Sequence, residues 1–218
     1  MTQPWVMATR NAGKLRELAA FFAARGVDVV DLQDVGIAED ASAEDAIESH
    51  DTFEENALAK ARYFSARLPG RLVVADDSGL SVSALGGAPG VRSKRWSEGE
   101  RIASGDLVGA NNARLVRELS GVTLREASFV CAAAACADGS EVIVRGEVLG
   151  RIVDVARGTN GFGYDPHFFV DELAMTLAEA SLGEKERVSH RARAFQRLLD
   201  TVRETPRLIN AGVLPSGS

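Results

Sequence analysis

Apolar positions along the 218-residue chain recur with two periods, and the alternation between those periods lays out the predicted elements. Trp5 to Ala8 is a short apolar strand candidate, closed by the polar turn Thr9-Arg10-Asn11-Ala12-Gly13. From about Lys14 to Arg25, Leu15, Leu18, Phe21 and Phe22 fall on one face of a helix, and Gly26 stops it. Val27 to Leu32 reads as a strand. Thr52 and Glu55 stand in the spacing of a capping box, and the helix they open runs to about Arg67, before Pro69-Gly70. Arg71 to Ala75 is β-rich and ends in the turn-like Asp76-Asp77-Ser78-Gly79; Gly86-Gly87-Ala88-Pro89-Gly90 is a loop. Asp106 to Leu119 is helical. Ala127 to Ala137 and Glu141 to Gly146 form a hairpin around Asp138-Gly139, and Arg151 to Val155 extends the sheet. A last helix spans about Ser189 to Glu204, and the tail from Pro215 to Ser218 is expected to fray.

Strand–helix alternation early and a hairpin later predict an α/β protein with a mixed β-sheet flanked by helices. No linker interrupts the pattern. We therefore expect one domain over residues 1–210, built as two lobes with a cleft, followed by a tail at 211–218.

Composition narrows the function. With 25 Lys+Arg against 31 Asp+Glu the net charge is −6, unsuited to gripping a nucleic-acid polymer by its backbone. The average conceals a division. Residues 26–59 hold 11 acids and no Lys or Arg, leaving 25 bases against 20 acids elsewhere. A local cluster of cations can therefore receive an anion despite the overall sign. The longest apolar run, Phe129 to Ala137, is far too short to span a membrane. The N-terminal MTQPWVMATRNAGK lacks a signal-peptide layout, and two cysteines make no disulfide framework, so a cytoplasmic location is expected. Cys131 and Cys136, an odd number of residues apart on one strand, face opposite sides and read as core thiols.

Four segments carry candidate chemistry. Thr9 to Lys14 joins a strand to a helix N-terminus, where backbone amides and the helix dipole favour an anion. It is not a Walker A loop, and an ordinary strand–helix turn accounts for the same residues. The adjacent carboxylates of Asp76 and Asp77 point different ways, so one can hold a metal while the other is held by the backbone; a plain strand-ending turn is the alternative. Gly161-Phe162-Gly163-Tyr164-Asp165-Pro166 interleaves aromatics with glycines, suited to stacking on a flat ligand or to plugging the core edge. Ser189-His190-Arg191 opens the last helix with donors for a carbonyl or phosphate, or with solvated charges. The three histidines show no zinc spacing, and no H-E-x-x-H, C-x-x-C or G-x-S-x-G occurs.

The order and wording of these segments, together with Thr52-Phe53-x-Glu55-Asn56-Ala57, Lys60 and the Gly86 to Gly90 loop, closely resemble the inosine triphosphate pyrophosphatase family, the Ham1/RdgB-like house-cleaning nucleotidases. The resemblance covers about residues 4–204. It implies an elongated mixed sheet, a homodimer, and Mg²⁺-dependent hydrolysis of the α–β phosphoanhydride of ITP, dITP or XTP to the monophosphate and pyrophosphate. Position by position, it implies Asp77 as general base and metal-associated carboxylate, with Asp76 supporting it at the metal and Glu48 as a further acidic metal ligand. Ser78 becomes a substrate contact. Thr9, Arg10, Asn11, Ala12, Gly13 and Lys14 would hold the triphosphate, with Lys60 and Lys185 as additional cations. Phe162, Gly163, Tyr164, Asp165, His190 and Arg191 would grip the purine. The sequence departs from the family at Arg10 and Asn160, and is least similar to it over residues 36–50. A pyrophosphatase of modified pyrimidines and a non-catalytic nucleotide sensor are the alternatives; the Gly161 to Pro166 and Ser189 to Arg191 pair argues against the first and the retained Asp77, Glu48 and Lys14 against the second.

Overall fold

The computed structural model describes residues 3–99 and 106–211. Residues 212–218, which include the expected frayed tail, lie outside them. The chain runs β1 (Trp5–Met7), α1 (Ala12–Ala23), β2 (Val29–Asp31), α2 (Ala41–Ile47), α3 (Phe53–Ser65), β3 (Val73–Val82), α4 (Leu107–Glu118), β4 (Glu126–Ala137), β5 (Ser140–Ile152), β6 (Phe168–Val170), β7 (Met175–Thr176), α5 (Leu182–Val188), α6 (His190–Arg203) and α7 (Pro206–Ala211). Seven strands form one open sheet in the order β2-β1-β3-β4-β5-β6-β7. Its β2-β1-β3 end is parallel and its β5-β6-β7 end antiparallel, so the sheet is mixed, as the alternation predicts.

Three local differences from the sequence pattern matter. The Asp76 to Gly79 stretch is not a turn: β3 passes straight through it, because Leu80 and Val82 continue the buried alternation and extend the apolar run beyond the carboxylates. No separate strand begins at Arg151, since β5 continues unbroken to Ile152. The box expected at Thr52 is half formed. Thr52 accepts from the Glu55 amide, but the Glu55 carboxylate takes the Thr52 hydroxyl at 2.8 Å; the reciprocal capping box stands instead at Ser181 and Glu184.

The chain divides into two compact units, Met1–Asp77 with Cys131–Gly146 and Arg191–Ser218, and Ser78–Val130 with Glu147–His190. In the first, Leu18, Phe21 and Phe22 of α1 and Phe195, Leu198 and Leu199 of α6 bury against Trp5, Met7, Val74, Cys131 and Ala133 of the strands. The run of small residues in β4 lets those helices approach the sheet closely. In the second, Leu80, Val82, Phe129, Tyr164 and Phe168 pack with Leu115 and Leu119 of α4. Both cysteines are buried free thiols. Among the described residues no helix is long and apolar enough to cross a membrane.

Candidate active site

In the first unit the catalytic candidates assemble where β1 ends ahead of α1 and its parallel neighbour β3 runs on through Asp76 and Asp77. Asn11 is the N-cap of α1 and accepts from the Lys14 amide at 3.0 Å, while the Thr9 hydroxyl accepts from the Asn11 amide at 3.2 Å. These side chains build the turn, and the helix starting at Ala12 and Gly13 points its positive end out of it. Lys14 Nζ lies 3.0 Å from Asp76 Oδ2. Arg10 turns elsewhere. Its Nη2 reaches Glu44 Oε1 at 2.9 Å and the carbonyls of Ala38 and Ile37 at 3.0 and 3.2 Å.

Strand alternation separates the two carboxylates. Asp76 is buried, 1% exposed, and its Oδ2 takes Lys14 together with Arg191 Nε at 3.4 Å. Burial favours the neutral acid there, but Lys14, Arg191 and Lys60 together outweigh it and hold Asp76 well below the usual carboxylate range. Arg191 is buried as well and also pairs with Glu17 of α1. Burial works against its charge, yet Asp76 and Glu17 outweigh it, so the guanidinium is held charged. Asp77 is treated oppositely. Burial raises its pKa, and the opposing pull of Lys14, Lys60 and an Asn56 hydrogen bond does not cancel the rise, to which Glu48 adds. Side by side stand a carboxylate whose neighbours favour its ionised form, serving as counter-ion, and a second carboxylate with raised proton affinity.

Helix α3 supplies the supports. Its buried stripe of Phe53, Ala57, Ala61 and Phe64 is interrupted by Asn56 and Lys60, four residues apart on the same face. Asn56 Nδ2 donates to Asp77 Oδ2 at 3.0 Å and to the His50 carbonyl at 3.2 Å, while its Oδ1 accepts from the His50 amide at 2.9 Å. Lys60 Nζ donates to the Asp76 carbonyl at 3.0 Å and pairs with Glu48. Burial opposes its charge, but Glu48, Asp76 and Asp77 outweigh that and raise its pKa.

The donor chemistry fits Mg²⁺ in a restricted way. Among the described residues no cluster of three or more His, Cys, Asp or Glu forms a protein cage for a metal. Mg²⁺ commonly takes only one or two carboxylates and completes its shell with water and phosphate oxygens. Glu48 and Asp77 suit that mode, since both are carboxylates whose charge converges on the buried ammonium of Lys60. Asp76, also expected at the metal, has its buried Oδ2 already taken by Lys14 and Arg191.

In the second unit the glycine–aromatic segment is a tightly braced loop. Asp165 Oδ2 accepts from the Phe162 amide and from Lys185 Nζ, both at 2.9 Å. Gly161 has φ +77°, and a Cβ there would stand 2.1 Å from the same carboxylate oxygen, so glycine is required. Asn112 Nδ2 donates to the Gly163 carbonyl at 3.0 Å. Tyr164 departs from the stacking role the sequence suggests. Its ring lies in the second core and its hydroxyl donates to the Ser93 carbonyl at 2.9 Å; burial raises its pKa above the ordinary range. Lys185, expected on the triphosphate, is paired with Asp165 and lies 5.6 Å from the centre of the half-buried Phe162 ring. His190 stacks on Phe129 at 4.8 Å, and Ser78 continues β3 directly after Asp77. Tyr164→Phe is expected to cost about 1 kcal/mol of stability, read by urea unfolding, with little change in nucleotide affinity.

The structure therefore groups Thr9 to Lys14, Glu48, Lys60, Asp76, Asp77 and Arg191 in one unit and Ser78, Phe162 to Asp165, Lys185 and His190 in the other. Arg191, assigned to the purine by sequence, is turned inward under Asp76. Three supporting side chains, Asn56, Glu17 and Asn112, are not among the candidate site residues the sequence offers. Asn56 stands in one of the quoted motifs and interrupts an apolar stripe. Glu17 and Asn112 carried no comparable signal, because their partners lie far away in sequence.

Comparison with known proteins identifies the family. Residues 5–201 match the profile of the Ham1 family. The dITP/XTP pyrophosphatase of Ralstonia nicotianae is 46% identical over 202 residues, covering 91% of this chain and 96% of that protein. The dITP/XTP pyrophosphatase of Bacillus licheniformis is 47% identical over 196 residues, covering 88% and 94%. Among solved structures, the Staphylococcus aureus Ham1 protein superposes with a TM-score of 0.76 at 33% identity, covering 93% of this chain and 99% of that one. The Mycobacterium abscessus nucleoside-triphosphatase, dITP/XTP pyrophosphatase, gives 0.67 at 42% identity, covering 90% and 99%. With a family match over most of its length and relatives at this level of identity, the chain belongs to the Ham1 family.

Proposed function

We propose that this Ham1-family nucleoside-triphosphate pyrophosphatase hydrolyses the α–β phosphoanhydride of non-canonical purine triphosphates, dITP, XTP and ITP, releasing the monophosphate and pyrophosphate. The observation that carries the proposal is the unequal treatment of adjacent carboxylates, with Asp76 locked as a counter-ion and Asp77 braced by Asn56 with its proton affinity raised. The dITP/XTP pyrophosphatase names of relatives that align over about nine-tenths of the chain support the substrate class. A cytoplasmic homodimer is the form drawn from the family resemblance.

In this reading Asp77 orients the attacking water and accepts its proton. The amide of Asn56 holds one carboxylate oxygen and so fixes the direction of the other. Lys14, Lys60 and the N-terminal end of α1 receive the triphosphate charge. Mg²⁺, held by Glu48 and Asp77, would neutralise phosphate charge and favour departure of pyrophosphate. Arg191 acts as a positioning residue, keeping Asp76 and hence Lys14 in place. In the second unit the braced loop presents Phe162 to the base, with Asp165 and Lys185 setting its conformation.

A pyrophosphate-release assay across a nucleotide panel tests the proposal. We expect kcat/KM for dITP, ITP and XTP to exceed that for ATP by about 10²-fold or more, because donors aimed at a keto oxygen are left unpaired by an amino group. GTP is expected to be the poorer substrate beside ITP, and chelation of Mg²⁺ to abolish turnover. Equal kcat/KM for ITP, GTP and ATP, or release of phosphate in place of pyrophosphate, would overturn the assignment.

A further inference from the structure

Helix α2 has no residue buried against the protein. Seven residues are too few for a helix to persist in water without tertiary support, and α2 buries no residue fully that could supply it. The segment also repels itself, since Glu39, Asp40, Glu44, Asp45 and Glu48 lie in the stretch that contains no Lys or Arg. Polar anchors must therefore hold it. At its far end Glu48, the C-cap residue, pairs with Lys60. At its near end the anchor is Arg10. That guanidinium takes the Ile37 and Ala38 carbonyls ahead of the helix, and its Nε lies 3.2 Å from Glu44 Oε2 while Nη2 lies 2.9 Å from Glu44 Oε1. Glu44 Oε1 also accepts from the Asp40 amide at 3.4 Å, and Asp40 caps the helix through the Ala43 amide at 3.0 Å.

We propose that Arg10 is a positioning residue: a latch, closed on Glu44, that docks residues 37–48 against the phosphate turn and thereby fixes where the Glu48 carboxylate stands. Its significance for Mg²⁺ rests on the function proposed above; the latch itself does not. Two charge-assisted hydrogen bonds and two carbonyl contacts, spread over one planar fork, define both the distance and the rotation of the segment. A guanidinium committed in this way is not a triphosphate contact. The sequence order Thr9-Arg10-Asn11 thus serves two purposes, with its neighbours shaping the anion turn and Arg10 reaching back to the acidic segment.

Hydrogen exchange on the nucleotide-free protein tests the latch without any turnover. Arg10→Ala and Glu44→Gln are each expected to accelerate amide exchange across residues 37–48 by about tenfold or more, leaving β1 and the middle of α1 unchanged. The double variant should exchange little faster than Arg10→Ala alone, because that variant already lacks the Arg10–Glu44 contact along with the bonds to the Ile37 and Ala38 carbonyls. Each variant should also require several-fold more Mg²⁺ for half-maximal pyrophosphate release. Unchanged exchange over 37–48 in both variants would overturn the proposal. So would a raised KM for the triphosphate in Arg10→Ala that Glu44→Gln does not share, since Arg10 would then be contacting phosphate. Accelerated exchange in a protein that releases no pyrophosphate from any purine triphosphate would uphold the latch and refute the functional reading alone.

Discussion

Asp77→Asn is expected to lower kcat for dITP by about 10²–10⁴-fold, the usual worth of a positioned general base, while nucleotide binding changes little. The substitution keeps the shape of the side chain and can retain the contact with Asn56, so what is lost is the negative charge, and with it proton acceptance and part of the hold on Mg²⁺. Single-turnover kinetics alongside equilibrium nucleotide binding would separate these quantities; a variant that retains full pyrophosphate release would remove Asp77 from the role of base. The pH dependence has a definite sign. Because burial raises the pKa of Asp77 in the metal-free protein, its carboxyl should titrate above the ordinary range for an aspartic acid. The base form is lost as pH falls through that raised value. Added Mg²⁺ should shift the titration downward, because a bound cation favours the carboxylate.

Asp76→Asn is expected to be chiefly a stability variant. It leaves Arg191 and Lys14 facing a neutral amide, with Arg191 fully enclosed. Removing one partner of a buried ionic group costs about 3–5 kcal/mol. For a chain of this size that is a fall in Tm of about 10 °C, measured by calorimetry near neutral pH. The sign with pH again follows from the environment. A folded-state pKa held below the unfolded value contributes stability that is fully present above the unfolded pKa of about 3.9 and is lost as pH falls through the folded value. The gap between wild type and Asp76→Asn should therefore be constant near neutrality and close in strong acid. A gap that widens on acidification would show that Asp76 is not the counter-ion of this cluster.

Much of the architecture was legible in the sequence because it is local. The stripe of Leu18, Phe21 and Phe22 and the Asp138-Gly139 turn depend on residues a few positions apart, whose spacing has one geometric meaning. The Asp76 to Gly79 stretch misled for an equally local reason: two acids followed by Ser-Gly have the composition of a turn, and only pairing within the sheet keeps them extended. The candidate site was legible as a set of residue types and obscure as a set of partners. Tyr164 is a possible stacking residue until the core closes over it and the Ser93 carbonyl takes its hydroxyl.

By itself the sequence determined that this is an α/β protein with a mixed sheet, which turns and helix starts carry polar chemistry, and that its negative average charge hides a basic remainder. Only the tertiary structure decided where each charge is spent. Arg191 meets Asp76 across 115 positions and Glu17 across 174, and Arg10 meets Glu44 across 34. A side chain's charge is written in the sequence, but its field falls off with distance in space and deepens with burial, and neither quantity exists until the chain has folded.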